Sequence, residues 1–346
     1  MSDRYIYIDT APGQTRGVIT LNGRPERLIV ERDGESWPRL GARYRARVVK
    51  IDKGLGLAAL DLGGGLSGAL RLKPDRAPPT EGQALEVEVS IEPQAGKAAV
   101  MHVLGAASGT PALLQGAQPL IERLNALAPD ASIATGIEAR TVADEAEDEV
   151  LAIEHRLSAG ASLSIETTRA LTAVDIDLGQ GGGRDPKRAT RQANFDAIAQ
   201  LARLMRLKAL GGLVVIDLVG RGHDGTALAR AVQAAFAPDQ PGVVLGPVTK
   251  FGTLELALPR RRRPIRELLC DSLGRRSADT LALQMIRQIQ SQAQAEPGAR
   301  LTVRCSSEVA AAAAQYTQSL AGIIGGRFAV VPDAGLAREA WDLALK

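Results

Sequence analysis

Aromatic residues are scarce in this sequence, at 3% of 346 residues. The hydrophobic fraction is nevertheless 45%, so the cores must rest on Leu, Val, Ile and Ala. Cys270 and Cys305 are the two cysteines, which excludes a disulfide framework and a cysteine-rich zinc module. No run approaches the roughly 18 apolar residues of a membrane span, and residues 1–8 lack the basic-then-apolar layout of a signal peptide. We therefore expect a cytoplasmic protein without a membrane partner.

Charge of one sign does not dominate the chain either. The formal net charge is +3 and the pI is about 9.0, which is compatible with a polyanionic partner but does not require one. The length allows about two or three domains, each with its own core.

The pattern of the first hundred residues predicts β-strands. Residues 4–32 alternate apolar and polar side chains, and Asn22-Gly23 predicts a hairpin turn. Five short strand-like segments with glycine-rich turns follow, as in a small Greek-key barrel such as an OB-fold. These segments are 44–51, 55–62, 67–72, 85–91 and 97–103.

The remainder of the chain alternates helices and strands. Residues 161–262 predict an α/β unit, and 278–346 predict a small α/β module beyond the basic stretch Arg260–Arg263. The predicted helices are 113–127, 143–157, 192–210, 226–236, 278–293 and 307–323, and the later strands include 213–218, 243–248, 300–305 and 327–331. The expected fold class is a multidomain α/β protein.

Carboxylates end two strand-like segments in the middle of the chain. The first segment ends at Asp175 and Asp177, and the second ends at Asp217. An acid just past a buried strand lies at the edge of the sheet where open α/β folds bind ligands. Three acids converging there would suit Mg²⁺, which prefers carboxylates, waters and substrate phosphates. The pattern predicts a metal site for phosphodiester chemistry, with strand capping or pairing with arginine as the alternative.

Three blocks, 166–177, 202–217 and 250–255, resemble the ribonuclease E/G family in their order and spacing. The resemblance places them in that family's DNase I-like catalytic domain and extends, unevenly, over most of the chain. It implies a first part of an RNase H-like domain at 1–35, an OB-fold RNA-binding domain at 36–105, a reduced 5′-sensor-like region at 106–149, a DNase I-like domain at 150–262, a linker at 263–277 and a small C-terminal domain at 278–346.

The resemblance also implies an activity. The family's two Mg²⁺-binding aspartates fall on Asp175 and Asp217, and Asp177 replaces a family asparagine near the scissile phosphate. Asp177 either joins the metal ligands or stands just outside them, and it adds negative charge where a phosphate must approach. The implied reaction is Mg²⁺-assisted hydrolysis of single-stranded RNA, which leaves 5′-phosphate and 3′-hydroxyl ends in bacterial RNA processing or decay.

Two parts of the RNA-binding apparatus depart from the family. Arg140-Thr141 matches the family's 5′-monophosphate pair, but the stretch that follows is much shorter, and a solvated strand end is the alternative. The family's two base-stacking phenylalanines fall on Ala59 and Ala69, so RNA binding must rest on charge. The candidate cations are Arg45, Arg47, Lys50, Arg71 and Lys97.

Further segments leave alternatives open. The family's CPxC zinc link is reduced to Cys270, so two subunits would lack a full tetrahedral ligand set, and no zinc link is expected. Residues 179–183 with Arg184 predict either a phosphate-cradling loop or a mobile loop. Arg260–Arg263 and Arg266 predict an RNA-backbone contact or a solvated linker. The apolar stripe of helix 278–293 fits either a homodimer interface or core.

The leading hypothesis is therefore a compact Mg²⁺-dependent endoribonuclease. The principal rival is an RNA-binding paralogue that has lost cleavage, and a weaker one is a DNA-directed nuclease. His102, His155 and His223 show no ligand spacing, so we expect ordinary structural or surface roles for them.

Overall fold

The computed structural model describes residues 3–74, 77–94, 96–179 and 185–345. The first half contains β1 (Arg4–Ala11), β2 (Gln14–Leu21), β3 (Arg24–Arg32), β4 (Arg43–Asp52), β5 (Leu57–Gly63), β6 (Leu66–Arg71), β7 (Ala84–Ile91), β8 (Ala99–Ala106), β9 (Ala112–Gln115), α1 (Leu120–Leu127), β10 (Ser132–Thr135) and α2 (Ile137–Leu151). The second half contains β11 (Glu154–Arg156), β12 (Ser162–Thr167), β13 (Thr172–Asp177), α3 (Pro186–Leu207), β14 (Gly212–Asp217), α4 (Gly225–Ala235), β15 (Val244–Leu245), β16 (Thr253–Leu258), α5 (Ile265–Leu269), α6 (Ala278–Ala295), β17 (Leu301–Cys305), α7 (Ser307–Ile324), β18 (Phe328–Pro332) and β19 (Trp341–Leu345).

The N-terminal strands form a four-stranded sheet in the order β10-β1-β2-β3. Asn22 and Gly23 both have positive φ, as the predicted two-residue hairpin turn requires. Strand β10 comes from far along the chain and pairs in parallel with β1. Helix α1 packs Leu124 against the sheet, and α2 contacts β1, β2 and β3. Residues assigned to the first strands and to the sensor-like region therefore share one sheet.

A closed five-stranded barrel follows, consistent with an OB-fold. Its strands connect as β4-β5-β6-β8-β7 and return to β4, with β6 parallel to β8. Alternate residues point inward, so that Val48, Leu60, Val87 and Met101 are buried in its core. Strand β9 adds to the edge of β4. All five predicted barrel strands are present, because a period of two is readable from local sequence.

The third sheet has six strands in the order β11-β12-β13-β14-β16-β15. Strands β13 and β14 are parallel and are joined by α3, whereas their other neighbours in this sheet run antiparallel. The side chain of Asp185 caps α3 by accepting the Arg188 N–H at 3.1 Å, and Pro186 starts the helix. One face of the sheet is apolar and buried in the largest core, which includes Val174, Ile216 and residues of α3.

Three predicted elements need correction. Residues 112–115 form a strand, so α1 begins at Leu120 rather than at 113. Helix α2 spans 137–151 instead of 143–157, because residues 154–156 pair with β12. The strand predicted at 243–248 is reduced to Val244–Leu245, and Pro247, which has no N–H for a sheet ladder, follows soon after.

The C-terminal part has a three-stranded sheet in the order β18-β17-β19 and its own core. The apolar stripe of α6, Ala282, Met285, Ile286 and Ile289, is fully buried in that core. The stripe is therefore core and is not exposed as a dimer interface. The segment 263–277, predicted as a linker, contains α5, whose buried residues join the largest core. The domain boundaries themselves stay predictions.

Among the helices that the structure describes, none is both long enough and apolar enough to cross a membrane.

Candidate functional site

Asp175 and Asp217 are register partners on the parallel strands β13 and β14. Both side chains are exposed, because the strand alternation turns Val174 and Ile216 to the buried face. Neighbouring strands lie about 4.8 Å apart, so one hard cation can reach both carboxylates. Within the described chain, neither carboxylate has a hydrogen-bond or ion-pair partner. The donor set therefore fits a cation bound by oxygen, such as Mg²⁺.

Hydroxyl groups flank this pair of acids. Ser164 of β12 is the register partner of Asp175, and Thr253 of β16 is the register partner of Asp217. A row of oxygen-bearing side chains thus crosses four adjacent strands. Neither hydroxyl residue was predicted from the sequence, because the signal that identifies them is the strand register and not a local motif.

Asp177 lies on the same exposed face but does not complete a three-carboxylate cluster. Its Oδ1 accepts the Gly179 N–H at 2.9 Å, and its register partner is Ser162. In the part of the chain that the structure describes, no three His, Cys, Asp or Glu side chains are grouped to hold a metal ion. The expected convergence of three acids is therefore reduced to one pair with Asp177 beside it. Arg184 and most of the glycine-rich segment 179–183 lie outside the described residues.

The predicted RNA-binding face of the barrel has no aromatic residue at its two key positions. Ala59 and Ala69 are register partners on β5 and β6, so the two missing rings would have been neighbours. Lys50 lies in the same row, opposite Ala59, and is exposed. Arg45 and Arg47 donate to the Ser108 and Gly109 carbonyl oxygens at 3.2 Å. Arg47 is exposed, as are Lys50, Arg71 and Lys97, whereas Arg45 is half-buried.

Arg140 and Thr141 lie on α2, so a solvated strand end is the wrong description of them. The Arg140 guanidinium donates to Asp9 Oδ1 at 3.2 Å, to the Arg287 carbonyl oxygen at 3.0 Å and to Ser291 Oγ. The Thr141 hydroxyl donates to the Ile137 carbonyl oxygen at 3.1 Å. A 5′-phosphate at this pair would have to displace these contacts.

The contacts of Arg140 belong to a buried charge network. Arg16 is fully buried between Asp9, at 2.7 Å, and Glu147, at 3.2 Å, and Arg287 reaches Asp9 at 3.1 Å. Burial raises the pKa of the Asp9 carboxyl, but Arg16 and Arg287 outweigh it and hold that pKa below its usual value. The ion pairs likewise outweigh desolvation at Arg16 and raise its pKa. This network joins the N-terminal sheet to α2 and α6.

Most of the basic stretch 260–263 is half-buried and is not a solvated linker, whereas Arg261 is exposed. Arg262 lines a cavity of about 300 Å³ together with Arg27 and Arg206. Burial and the neighbouring Arg123 lower the pKa of Arg262 to about 10. Arg263 contacts Glu267 at 3.4 Å. An RNA contact by this stretch stays a prediction.

Cys270 is half-buried and free, while Cys305 is fully buried. Burial raises the pKa of the Cys270 thiol. Zinc binds the thiolate, so this environment disfavours metal binding by Cys270.

Known proteins are similar in sequence to the middle of this chain. The model of the Ribonuclease E/G family matches residues 119–263. Ribonuclease E of Haemophilus influenzae is 30% identical over 150 residues, which cover 40% of this chain and 16% of that protein. Ribonuclease E of Escherichia coli K12 is 30% identical over 150 residues, covering 40% of this chain and 14% of that protein. Ribonuclease G of Salmonella typhimurium is 26% identical over 166 residues, covering 45% of this chain and 34% of that protein.

The matches thus span between 14% and 34% of the length of these relatives. The segment matched by the family model contains the candidate acids Asp175, Asp177 and Asp217, together with Arg140 and Thr141. It does not contain the barrel or the C-terminal sheet. The similarity to the ribonuclease E/G family is thus carried by residues 119–263.

Proposed function

We propose that this chain is a Mg²⁺-dependent endoribonuclease that hydrolyses single-stranded RNA to 5′-phosphate and 3′-hydroxyl ends. Its setting is bacterial RNA processing or decay in the cytoplasm. The observation that carries the proposal is the register pairing of Asp175 and Asp217 on the exposed face of the sheet. Two neighbouring carboxylates that have no partner among the described residues are poorly explained as strand caps or as halves of ion pairs.

The residues around the pair support phosphodiester chemistry. Mg²⁺ held by Asp175 and Asp217 would supply an activated water and would offset charge on the phosphate oxygens. Ser164 and Thr253 flank the pair in the same row and can position a water or a phosphate oxygen through their hydroxyl groups. Asp177 has one carboxylate oxygen engaged by Gly179, so its second oxygen is the one left to hold a water near the metal.

RNA contacts outside the acid pair are part of the same proposal. Electrostatic attraction to phosphates supplies most sequence-independent affinity for nucleic acid. We assign this role to the barrel face and to the segment after β13. The residues are Arg45, Arg47, Lys97 and Arg184. Arg140 and Thr141 are retained as the candidate 5′-phosphate contact, on the condition that RNA displaces the contacts they make now.

A second function is favoured by one specific observation. The cross-strand pair Ala59 and Ala69 removes two base-stacking positions at once, and each lost stack costs about 1–3 kcal/mol. A paralogue that binds RNA weakly and no longer cuts it would tolerate this loss. The acid pair opposes that alternative, since two neighbouring carboxylates with no partner in the described part of the chain fit a metal site better than a purely structural role.

A cleavage assay separates the two functions. The full chain is incubated with a 5′-labelled, single-stranded A/U-rich RNA in Mg²⁺ or in EDTA, beside Asp217→Asn and the matched control Asp130→Asn, an exposed aspartate on a turn. We expect internal cuts that require Mg²⁺, vanish in Asp217→Asn and persist in Asp130→Asn. RNA that is bound but uncut in every lane establishes the binding paralogue. A DNA oligomer of the same sequence, if cut equally well, assigns a DNA-directed nuclease instead.

A further inference from the structure

A cleft of about 1090 Å³ lies beside the acid pair. Its walls are the loop that follows β14, the first residues of α4 and the turn that precedes β16. The cleft is close to Asp217 in two ways. The Leu218 N–H donates to the Gly252 carbonyl oxygen at 3.2 Å, and Thr253 is the register partner of Asp217. A strand of RNA whose scissile phosphate lies at the acids can therefore extend into this cleft.

Phe251 stands at the cleft with its ring largely in solvent. It is 79% exposed, the highest exposure among the ten aromatic residues of the chain, all of which the structure describes. By contrast, Phe236 is 1% exposed. A protein with so few aromatic side chains gains stability by burying them. A ring left in water next to a candidate active site is open to a nucleic-acid base that stacks on it.

The turn that carries Phe251 is already ordered. The Gly252 N–H donates to the Thr249 carbonyl oxygen at 3.1 Å, and the Thr249 N–H donates to the Thr253 carbonyl oxygen at 2.9 Å. The hydroxyls of Thr249 and Thr253 are 2.7 Å apart. Consecutive Cα atoms are about 3.8 Å apart, so the Cα of Phe251 is at most about 7.6 Å from that of Thr253. The ring is thus held near Asp217, and ordering it on binding costs little conformational entropy.

The polar groups around the ring suit a nucleotide. The Lys250 ammonium lies 5.0 Å from the centroid of the Phe251 ring, which leaves the opposite face of the ring for a flat partner. Arg221 is exposed and lines the same cleft. His223 Nε2 is buried without a hydrogen-bond partner among the described residues, 3.6 Å from where a Cβ on Gly252 would lie. The cleft therefore combines a π face and two cations.

We propose that this cleft binds one nucleotide of single-stranded RNA next to the cleaved bond. The base stacks on the open face of Phe251, and Lys250 and Arg221 contact its phosphates. This inference rests on the proposed function, because it uses RNA as the substrate. Phe251 would supply a stacking contact close to the acids, whereas the barrel has alanine at both expected stacking positions.

Binding of RNA in EDTA tests the cleft without requiring cleavage. A 5′-fluorescent A/U-rich RNA is titrated with the full chain by anisotropy, beside Phe251→Ala, Phe251→Leu and Phe251→Tyr. The control is Leu273→Ala, a similarly exposed apolar residue at 73% exposure. We expect Kd to rise by roughly 5- to 150-fold in the Ala variant. Kd should also rise in the Leu variant, because leucine keeps the bulk of the side chain but not the π face. In the Tyr variant and in the control, Kd should change little. Circular dichroism should show folded protein in every case, since the ring is not part of a core.

A second measurement reports on stacking itself. An RNA carrying 2-aminopurine is expected to lose fluorescence on binding to the wild type and Phe251→Tyr, and to lose less on binding to Phe251→Leu at saturation. Equal affinity and equal quenching in wild type and Phe251→Leu would overturn the stacking role. If Asp217-dependent cleavage persists in that case, the proposed endoribonuclease stands while the cleft proposal fails. If the wild type neither binds nor cuts RNA, both fail.

Discussion

Asp175 and Asp217 face each other across the parallel strands β13 and β14, on the solvent face of a sheet whose other face is core. The crossover through α3 makes both strands run in the same direction. Their carboxyl ends therefore meet at one edge, where each contributes one acid. A single connection thus brings together two residues that are 42 positions apart in the chain.

Replacing Asp175 should separate cleavage from binding. Asp175→Asn keeps the size of the side chain and removes one of the two charges available to the metal. We expect single-turnover cleavage to fall by on the order of 100-fold or more, with RNA affinity in EDTA unchanged or slightly higher. Retention of full activity would show that the acid pair does not bind the catalytic metal.

Asp177→Asn should maintain or increase activity. An asparagine Oδ1 can still accept the Gly179 N–H, while the loss of one negative charge eases the approach of a phosphate by about 1 kcal/mol in water at close range. We expect RNA to bind up to roughly 5-fold more tightly at low salt, with a smaller gain as salt increases. A large loss of cleavage with unchanged binding would instead make Asp177 a metal ligand.

Restoring a ring on the barrel should strengthen RNA binding. Ala59→Phe or Ala69→Phe places an aromatic side chain beside Lys50 on the exposed face. One new stack should contribute about 1–3 kcal/mol, measured as a lower Kd by anisotropy. Ala59→Leu is the matched control, because it adds apolar volume without a π face. An equal gain from leucine would argue against stacking.

The buried charge network predicts a large loss of stability. Arg16→Met leaves Asp9 and Glu147, both buried, without their main counter-ion. Breaking a buried ion pair by removing one partner costs about 3–5 kcal/mol, to be measured by urea unfolding. The exposed Arg300→Met should change stability by less than about 0.5 kcal/mol. A similarly small effect of Arg16→Met would mean that Arg287 takes over the role of Arg16.

His155 should make stability depend on pH below neutrality. Burial, together with Lys208, lowers the pKa of its imidazole from 6.5 to about 4. The unfolded chain therefore binds the proton first as the pH falls, so the stabilisation present above pH 6.5 is lost progressively toward pH 4. The loss is at most about 3 kcal/mol.

Thermal unfolding across this pH range checks the prediction about His155. His155→Gln cannot titrate, so the difference in stability between wild type and variant should shrink or reverse as the pH falls. Parallel curves for wild type and His155→Gln would show that His155 is protonated equally in both states.

Much of the fold could be read from local patterns. The alternation of apolar residues predicted the five barrel strands, and the acids at the ends of two strands predicted the candidate site around Asp175 and Asp217. These features depend on side chains that lie two residues apart or directly after a strand, and such spacing is visible in the sequence itself. The shift of α2 to 137–151 was less predictable, since pairing of β11 with β12 decided where that helix ends.

By itself, the sequence determined which residues could form strands, helices and a pair of strand-end acids, because those properties follow from composition and short-range periodicity. Only the tertiary structure decided the strand register, which places Ser164 and Thr253 beside the acids and leaves Asp177 outside a cluster. It also decided that Phe251 is exposed at a cleft and that Arg140 is held by Asp9. The physical reason is that burial and pairing between distant segments depend on the whole packed chain, and local spacing does not encode them.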